Sequence, residues 1–207
     1  MNQKYLKKNS KIFVAGHNGL VGSAICRKLE LSGFTNIIKK NRNELDLRNF
    51  KDTETFLNYT KPSVVIIAAA KVGGIKANND FPIDFLFENL EIQSSIIKAS
   101  YTSGVDRLIF LGSSCIYPKN SKIPIKEEYL LTSELEKTNR PYALAKISGI
   151  EMCWSYNRQR NTNYFSVMPT NLYGPNDNYD SETSHVLPAL VKKIHQAKIN
   201  NLPEVEI

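Results

Sequence analysis

The sequence predicts an α/β fold built on a doubly wound parallel sheet. Short apolar segments alternate with longer helix-like segments over most of the 207 residues, as parallel strands joined by helices require. The segment at residues 64–70 is apolar throughout, which is typical of a central strand buried on both faces. A glycine-rich turn at residues 16–22 directly follows the first apolar segment. Together these observations favour a Rossmann-type sheet, in which ligands bind at the carboxyl ends of the strands.

The composition excludes several other classes of protein. Apolar residues make up 42% of the chain and charged residues 23%, which suits one domain with a fragment of a second. The longest apolar run is too short to span a bilayer, and the polar, lysine-rich amino terminus does not resemble a secretory signal. Cys26, Cys115 and Cys153 are too scattered for a disulfide framework or a zinc site. We expect no membrane association, no metal and a cytoplasmic location.

The formal net charge of +7 leaves the class of ligand open. Positive residues are dispersed and no nucleic-acid-binding motif is visible, so we expect no nucleic-acid partner. The same surplus suits anionic small molecules such as dinucleotides and sugar nucleotides. A solvated basic surface is an equally good interpretation of the charge alone.

The first strand is predicted at residues 11–15, and the helix that follows ends near Gly33. The spacing Gly16-x-x-Gly19-x-x-Gly22 between a strand and a helix is typical of a dinucleotide site. Glycine lets the backbone turn tightly and allows a pyrophosphate to approach the helix amino terminus. A plain strand-to-helix turn is the alternative.

The second strand, predicted at residues 36–40, ends in basic residues. In NAD-binding sheets an acidic residue about 20 positions past the glycines holds the ribose hydroxyls. Here Lys39, Lys40 and Arg42 stand in that region, and a guanidinium there suits the 2′-phosphate of NADP. Solvated loop charges are the alternative. Asp46, a little further on, is a candidate partner of the adenine amino group.

The rest of the chain continues the alternation of elements. The predicted elements are a helix at 49–59, a strand at 64–70, a loop at 71–75, a helix at 83–103, a strand at 106–111, a polar irregular segment at 119–137, a helix at 141–160, a strand at 164–168 and a loop at 169–175. Pro141 suits the first turn of the last of these helices, and Thr138 or Asn139 can cap it.

Four segments are predicted at the carboxyl ends of strands. They are residues 16–22, 68–71, 113–115 and 169–172. Since the carboxyl ends of parallel strands share one edge of the sheet, we expect these segments to line a single crevice.

Tyr142 and Lys146 lie one turn apart on the same face of a predicted helix. A cation beside a phenol favours the ionised form, so we expect Lys146 to lower the pKa of Tyr142 from its usual value of about 10. Tyr142 would then exchange a proton near neutral pH. Most such pairs are ordinary exposed neighbours, but the glycine turn and the Ser113-Ser114 pair favour a catalytic set. For the serines, a polar strand end with satisfied hydroxyls is the alternative.

Four motifs occur in an order that resembles a known superfamily. They are Gly-x-x-Gly-x-x-Gly at 16–22, Ser-Ser at 113–114, Tyr-x-x-x-Lys at 142–146 and Asn-Leu-Tyr-Gly-Pro at 171–175. This order resembles the extended short-chain dehydrogenase/reductases. Within that superfamily, Ala-Ala-Ala-Lys-Val-Gly-Gly-Ile at 68–75 and Leu-Gly-Ser-Ser-Cys-Ile-Tyr-Pro-Lys at 111–119 are similar to the GDP-L-fucose synthase family.

The resemblance implies an activity and a domain organisation. Members of that family are NADPH-dependent 3,5-epimerase/4-reductases that convert GDP-4-keto-6-deoxy-D-mannose to GDP-L-fucose. It therefore implies NADP(H) as cofactor, a GDP-sugar as substrate and a homodimer. It places an NADP-binding Rossmann domain at residues 1–175 and the start of a substrate domain at residues 176–207. Because family members are longer, we expect the substrate domain to be truncated.

The resemblance also implies roles for individual residues. Tyr142 gives a proton to the C4 oxygen, Lys146 tunes it, and Ser113 stabilises developing negative charge. Cys115 is the base and His185 the acid for epimerisation at C3 and C5, which are both α to the C4 ketone. The expected cofactor contacts are Gly16, His17, Asn18, Gly19, Leu20, Val21, Gly22, Arg42, Asp46, Leu47, Leu111, Gly112, Ser113, Ser114, Lys146, Pro169, Thr170, Asn171, Leu172 and His185. The expected substrate contacts are Ser114, Asn171 and Lys193.

Two departures from the family pattern bear on these expectations. Asn18 stands where some members carry an arginine near the 2′-phosphate, which leaves Arg42 to carry the NADP preference. An arginine and a tryptophan that help hold GDP in the family have no counterpart in this sequence. A 4,6-dehydratase is disfavoured because no Asp-Glu pair follows the serines, and Cys115 similarly disfavours a 4-epimerase. An NADP-binding module without full catalytic activity remains an alternative.

Overall fold

The computed structural model describes residues 6–180 and 183–205. In this part of the chain five parallel strands form one sheet in the order β2-β1-β3-β4-β5. The strands are β1 (Ile12–Ala15), β2 (Ile37–Ile38), β3 (Val64–Ile67), β4 (Arg107–Leu111) and β5 (Asn163–Val167). The helices are α1 (Leu20–Leu31), α2 (Phe50–Thr60), α3 (Ile75–Asp80), α4 (Pro82–Thr102), α5 (Arg140–Arg160) and α6 (Val186–Ile199). The predicted doubly wound parallel sheet is confirmed.

The strand order reverses at β1, which pairs with β2 on one side and with β3 on the other. The chain therefore winds outward in opposite directions from this strand. At such a point the loops at the carboxyl ends diverge and leave a crevice between them. The glycine turn follows β1 at this edge of the sheet, between the loops that follow β2 and β3.

The core occupies both faces of the sheet. Every residue of β1 and β3 is buried, as expected for central parallel strands covered by helices. One apolar cluster, with Phe13, Phe110 and Ile150, joins the sheet to α2, α4 and α5. A second, with Val14 and Cys26, joins it to α1. Across residues 6–180 and 183–205, no helix has both the length and the apolar character needed to cross a membrane.

Three local predictions were wrong. The strand predicted at 64–70 ends at Ile67, and the three alanines that follow leave the ladder after Ala68 N donates to Ala15 O. The loop predicted at 71–75 ends at Gly74, because the short helix α3 begins at Ile75, and no element was predicted for residues 76–82. Asn139 stands at the N-cap position of α5, but its side chain makes no capping hydrogen bond. A preceding 3₁₀ turn and a proline without an N–H reduce the number of backbone donors that need a cap.

Candidate active site

The turn between β1 and α1 is shaped by its glycines. Gly16 has a φ of +82°, and a Cβ there would lie 2.6 Å from the Ala69 backbone nitrogen. A Cβ on Gly22 would overlap the carbonyl of Gly16. Gly19 differs, because a Cβ there would meet only the Gly16 oxygen, at 3.6 Å. Two glycines therefore let backbones pack closely, while the third leaves open space at the start of α1, where backbone N–H groups favour an anion.

The loop after β5 lies against the same helix end. Asn176 Nδ2 donates to Ser23 Oγ at 3.0 Å, and Gly174 lies beside the Leu20 side chain. This contact brings residues 174–176, which come shortly after the predicted cofactor segment 169–172, to the first turn of α1. In the turn itself, His17 Nδ1 is buried and has no hydrogen-bond partner in the described part of the chain.

Lys146 lies inside the protein at the carboxyl end of β4. It is only 3% exposed, and its Nζ donates to the Leu111 carbonyl at 2.7 Å. The ammonium is also 4.9 Å from the ring centroid of Phe110 and 5.7 Å from that of Tyr142. Because burial penalises the charged form, the pKa of Lys146 is lowered from 10.5 to about 8.

Tyr142 is half-buried beside Lys146, with the Phe85 ring edge-on at 6.3 Å. Burial raises the pKa of Tyr142 well above its ordinary value, nearby Cys115 raises it further, and a hydrogen bond with Ser113 lowers it. The prediction that the pKa of Tyr142 lies below its usual value is therefore wrong. Desolvation of the phenol is the dominant effect.

Ser113 and Cys115 form a tight turn directly after β4. Ser113 Oγ accepts a hydrogen bond from the Cys115 backbone N–H at 3.4 Å and caps the 3₁₀ turn that follows. Burial raises the pKa of the Cys115 thiol, whereas the Ser113 side chain and the positive charge of Lys146 lower it. Ser113, Cys115, Tyr142 and Lys146 thus influence one another, as their predicted common site requires.

Two buried polar residues of α4, which the sequence analysis missed, help to hold this site. Gln93 Nε2 donates to the Ala145 carbonyl at 2.5 Å, next to the lysine in α5. Asn89 accepts from Lys71 N at 2.9 Å and donates to Lys71 O at 3.0 Å. Both side chains are 2% exposed. The signal was available, because Phe85, Asn89 and Gln93 recur every four residues along the buried stripe of a predicted helix.

The loops after β2 and β3 carry charged residues that form ion pairs with Glu88 of α4 or within the loop after β2. Arg42 Nη2 lies 3.7 Å from one oxygen of Glu88, and Lys71 Nζ lies 3.6 Å from the other. Arg48 donates to both oxygens of Asp46, at 2.6 Å in the shortest contact. This hydrogen bonding lowers the pKa of Asp46 to about 2. Asp46, the predicted partner of the adenine amino group, is therefore already paired with Arg48. Arg42 follows β2, as predicted, and forms an ion pair with Glu88.

Several residues predicted to bind cofactor or substrate, and the predicted acid His185, make no described contact with the cluster around Tyr142 and Lys146. Asn18, Thr170, Asn171, Leu172 and Lys193 are exposed, and Leu47 packs against the core. His185 is exposed at the start of α6, after a segment in which Thr183 O accepts from Gly74 N at 2.9 Å. Within the described residues, its imidazole makes no hydrogen bond to Tyr142 or Cys115. In the same residues no three His, Cys, Asp or Glu side chains come close enough together to hold a metal ion.

Comparison with known proteins assigns the fold and the glycine turn to a family. The model of the NAD dependent epimerase/dehydratase family matches residues 12–207. The chain belongs to this family. The matched range includes the turn after β1 and both Tyr142 and Lys146.

Within this family, the chain is similar to proteins named GDP-L-fucose synthase. The chain is 57% identical to a putative GDP-L-fucose synthase 2 of Arabidopsis thaliana, over 98% of this chain and 62% of that protein. It is 50% identical to the GDP-L-fucose synthase of Escherichia coli strain K12, over 95% of this chain and 61% of that protein. The chain therefore spans about three fifths of the length of these relatives.

Solved structures share the fold at high similarity. A GDP-L-fucose synthetase from Naegleria fowleri bound to NADP superposes with a TM-score of 0.88 at 30% identity, covering 98% of this chain and 66% of that one. A GDP-D-glycero-L-gluco-heptose synthase from Campylobacter jejuni, crystallised in the presence of NADPH, gives 0.89 at 42% identity, covering 94% and 57%.

Proposed function

We propose that this chain is the cofactor-binding part of an NADPH-dependent 3,5-epimerase/4-reductase that converts GDP-4-keto-6-deoxy-D-mannose to GDP-L-fucose. The observation that carries the proposal is the cluster at the end of β4. In it a half-buried tyrosine, serine and cysteine lie beside a buried lysine, and the pKa values of the tyrosine and the cysteine depend on these neighbours. The 50–57% identity to GDP-L-fucose synthases supports the choice of substrate.

The residues of the crevice fit NADP(H). Gly19 leaves room for a pyrophosphate at the start of α1, and Arg42 offers a cation for the 2′-phosphate. Bound there, the cofactor supplies a hydride to C4 of the sugar. We assign residues 1–175 to the cofactor domain and residues 176–207 to the start of the substrate domain, which the longer relatives support.

In the reduction, Tyr142 donates its proton to the C4 oxygen. The raised pKa of the buried phenol keeps it protonated at neutral pH, so a donor is present before the reaction. The Lys146 ammonium, with a pKa of about 8, is still mostly charged at pH 7 and favours the phenolate that forms. Ser113 contributes a second hydrogen bond to the oxygen as negative charge develops.

In the epimerisation, Cys115 removes a proton from carbon beside the ketone and His185 returns one from the opposite face. Both C3 and C5 are α to the carbonyl, so the hydrogen bonds that activate the ketone also stabilise the enolate. The thiol must lose its own proton to act. Ser113 and the charge of Lys146 both favour the thiolate, against the opposing effect of burial.

We further propose a homodimer in the cytoplasm. A groove of about 510 Å³ runs along α4 and α5, lined by residues that include Tyr101, Glu151 and Arg160. Trp154 is half exposed on α5, and Ile83 and Phe87 are exposed on α4. These apolar side chains suit helix packing between two copies. The free thiols of Cys26, Cys115 and Cys153 suit a reducing compartment.

The similarity to Campylobacter jejuni reductases favours one second candidate. The chain is 42% identical to a GDP-mannoheptose C4 reductase of that organism, which superposes with a TM-score of 0.87. A 4-keto heptose linked to GDP is therefore the alternative substrate. It needs the same tyrosine, lysine and serine, so the activity must be tested with both sugars. A cofactor-binding module without turnover is the third outcome.

The test measures two reactions together. The chain is incubated with NADPH and each GDP-4-keto sugar in deuterated water, and deuterium at C3 and C5 is read alongside NADPH consumption. We expect Cys115→Ser to block exchange while leaving residual reduction, and Cys26→Ser, in the core beneath α1, to change neither. Exchange at the unmutated rate in Cys115→Ser would contradict the role of the thiol. NADPH binding without exchange or reduction would favour the module.

A further inference from the structure

We propose that Glu88 is the internal counter-ion of the site for the 2′-phosphate of NADP(H). It holds Arg42 and Lys71 in the free protein and competes with the phosphate for both cations. The inference rests on the proposed use of NADPH. Glu88 then sets how strongly NADPH is preferred over NADH.

Glu88 divides its carboxylate between two cations from different loops. One oxygen lies 3.7 Å from Arg42 Nη2 and the other lies 3.6 Å from Lys71 Nζ. Arg42 follows β2 and Lys71 follows β3, and these strands flank β1 in the sheet. The two cations therefore approach from opposite sides of the crevice. The Glu88 side chain is 23% exposed, so it is partly withdrawn from solvent between them.

The two cations differ in how firmly they are held. Asn89, next to Glu88 in α4, hydrogen-bonds both the N–H and the carbonyl of Lys71, so the backbone of this lysine is fixed. The Arg42 side chain is 65% exposed and reaches Glu88 across solvent. A phosphate entering the crevice can thus attract Arg42 away from Glu88 by side-chain rotation alone. The Lys71 backbone stays in place, and its side chain, 42% exposed, can turn toward the phosphate as well.

The neighbouring charges leave Glu88 as the acid that opposes these cations. Asp46 is occupied by the bidentate contact with Arg48, which largely cancels both charges. Glu44 accepts hydrogen bonds from Lys40 and from the Asn41 backbone. Glu88 is therefore the carboxylate that pairs with both Arg42 and Lys71. Asp46 also feels the charge of Arg42, and Arg48 that of Glu88 and Glu91.

A ribose 2′-phosphate carries nearly two negative charges near neutral pH and three acceptor oxygens. It satisfies Arg42 and Lys71 better than one carboxylate does, and it then lies close to the displaced Glu88. Repulsion between the two anions weakens NADPH binding. NADH brings no such charge and leaves the ion pairs intact, so Glu88 affects the two cofactors differently.

The test compares the dissociation constants of NADPH and NADH for the whole chain at low salt, by isothermal titration calorimetry. We expect Glu88→Gln to lower the NADPH constant about three- to tenfold, as removal of one partly screened like charge predicts. The NADH constant should change less than about twofold. Glu88→Ala should have the same effects as Glu88→Gln: a lower dissociation constant for NADPH and little change in that for NADH. The control is Glu91→Gln, an exposed acid one turn along the same helix that makes neither ion pair.

A double variant identifies the competing partner. In an Arg42→Ala background, Glu88→Gln should gain less NADPH affinity than in the unmutated chain, because one of the contested cations is gone. The proposal is overturned if Glu88→Gln leaves NADPH binding unchanged or weaker, or if Glu91→Gln has the same effect. If the unmutated chain binds both cofactors equally, the cofactor assignment fails first, and the counter-ion role fails with it.

Discussion

The two ends of the crevice use charge in opposite ways. At the end of β4, Lys146 and Tyr142 are withdrawn from water, and burial is the largest influence on the pKa of each. Beyond the ends of β2 and β3, Arg42 and Asp46 stay partly solvated and are held by ion pairs, Arg42 with Glu88 of α4. Desolvation thus adjusts proton affinity where chemistry is proposed, whereas partly screened pairing adjusts affinity for a charged ligand.

The largest effect should come from the buried end. We expect Tyr142→Phe to slow ketone reduction about 100- to 10,000-fold, because the C4 oxygen loses its proton donor. NADPH binding should change little, because Tyr142 is not among the residues that we expect to contact the cofactor. The measurement is NADPH consumption at saturating substrate, in this chain or in a full-length relative if this chain does not turn over. If Tyr142→Phe weakened NADPH binding as much as it slowed reduction, catalysis and cofactor binding could not be assigned to different ends of the crevice.

The next effect should come from the solvated end. Arg42→Ala should reduce the preference for NADPH over NADH about 10- to 100-fold, since a charge-assisted contact with phosphate contributes roughly 1.5–3 kcal/mol. The ratio of the two dissociation constants measures it. Lys40→Ala, which removes a cation paired with Glu44, is the matched control. Equal affinity for the two cofactors in the unmutated chain would remove the basis of this prediction.

Burial of Lys146 should also appear in the stability of the protein. Its pKa is about 8 in the folded chain against 10.5 when solvated, so between these values the unfolded state binds more protons. This group by itself should therefore make the free energy of unfolding rise by about 2 kcal/mol from about pH 8 to 10. The raised pKa values of the Cys115 and Cys153 thiols oppose the rise in the upper part of this range, so the effect is measured as the difference between the unmutated chain and a Lys146 variant. Above pH 10 the raised pKa of Tyr142 acts in the opposite direction.

Denaturant unfolding at several pH values measures this rise. Lys146→Met should abolish it, and Lys137→Met, at an exposed position outside the cluster, should retain it. A rise of the same size in Lys146→Met would show that another group causes it.

The smallest effect should come from salt. Raising the salt from 0.05 to 0.5 M should reduce the NADPH preference about threefold, because partly exposed charges are screened. The pH-dependent stability due to the buried lysine should change much less. Equal sensitivity of both quantities to salt would mean that the two ends share one electrostatic environment.

The sequence predicted most of the fold because its signals are local. Apolar runs and glycine spacing place β1, α1 and β4 within a residue or two, and strand ends identify Ser113 and Cys115. The short helix α3 was missed because six residues give too little periodicity, and the hydrogen bonds of Asn78 to the Gly73 and Gly74 carbonyls stabilise its start. Asn89 and Gln93 were overlooked because their partners, Lys71 and Ala145, lie far away in the chain.

The sheet, the glycine turn and the identity of the residues at the strand ends follow from the sequence, since each depends on neighbours along the chain. The direction in which the pKa of Tyr142 moves follows from how the chain packs in three dimensions. Spacing on a helix showed that a cation is nearby, but it did not show that both groups are desolvated. Likewise, only the fold brings Glu88 to Arg42 and Lys71. Burial and pairing across distant segments depend on the packed three-dimensional arrangement, which no local pattern contains.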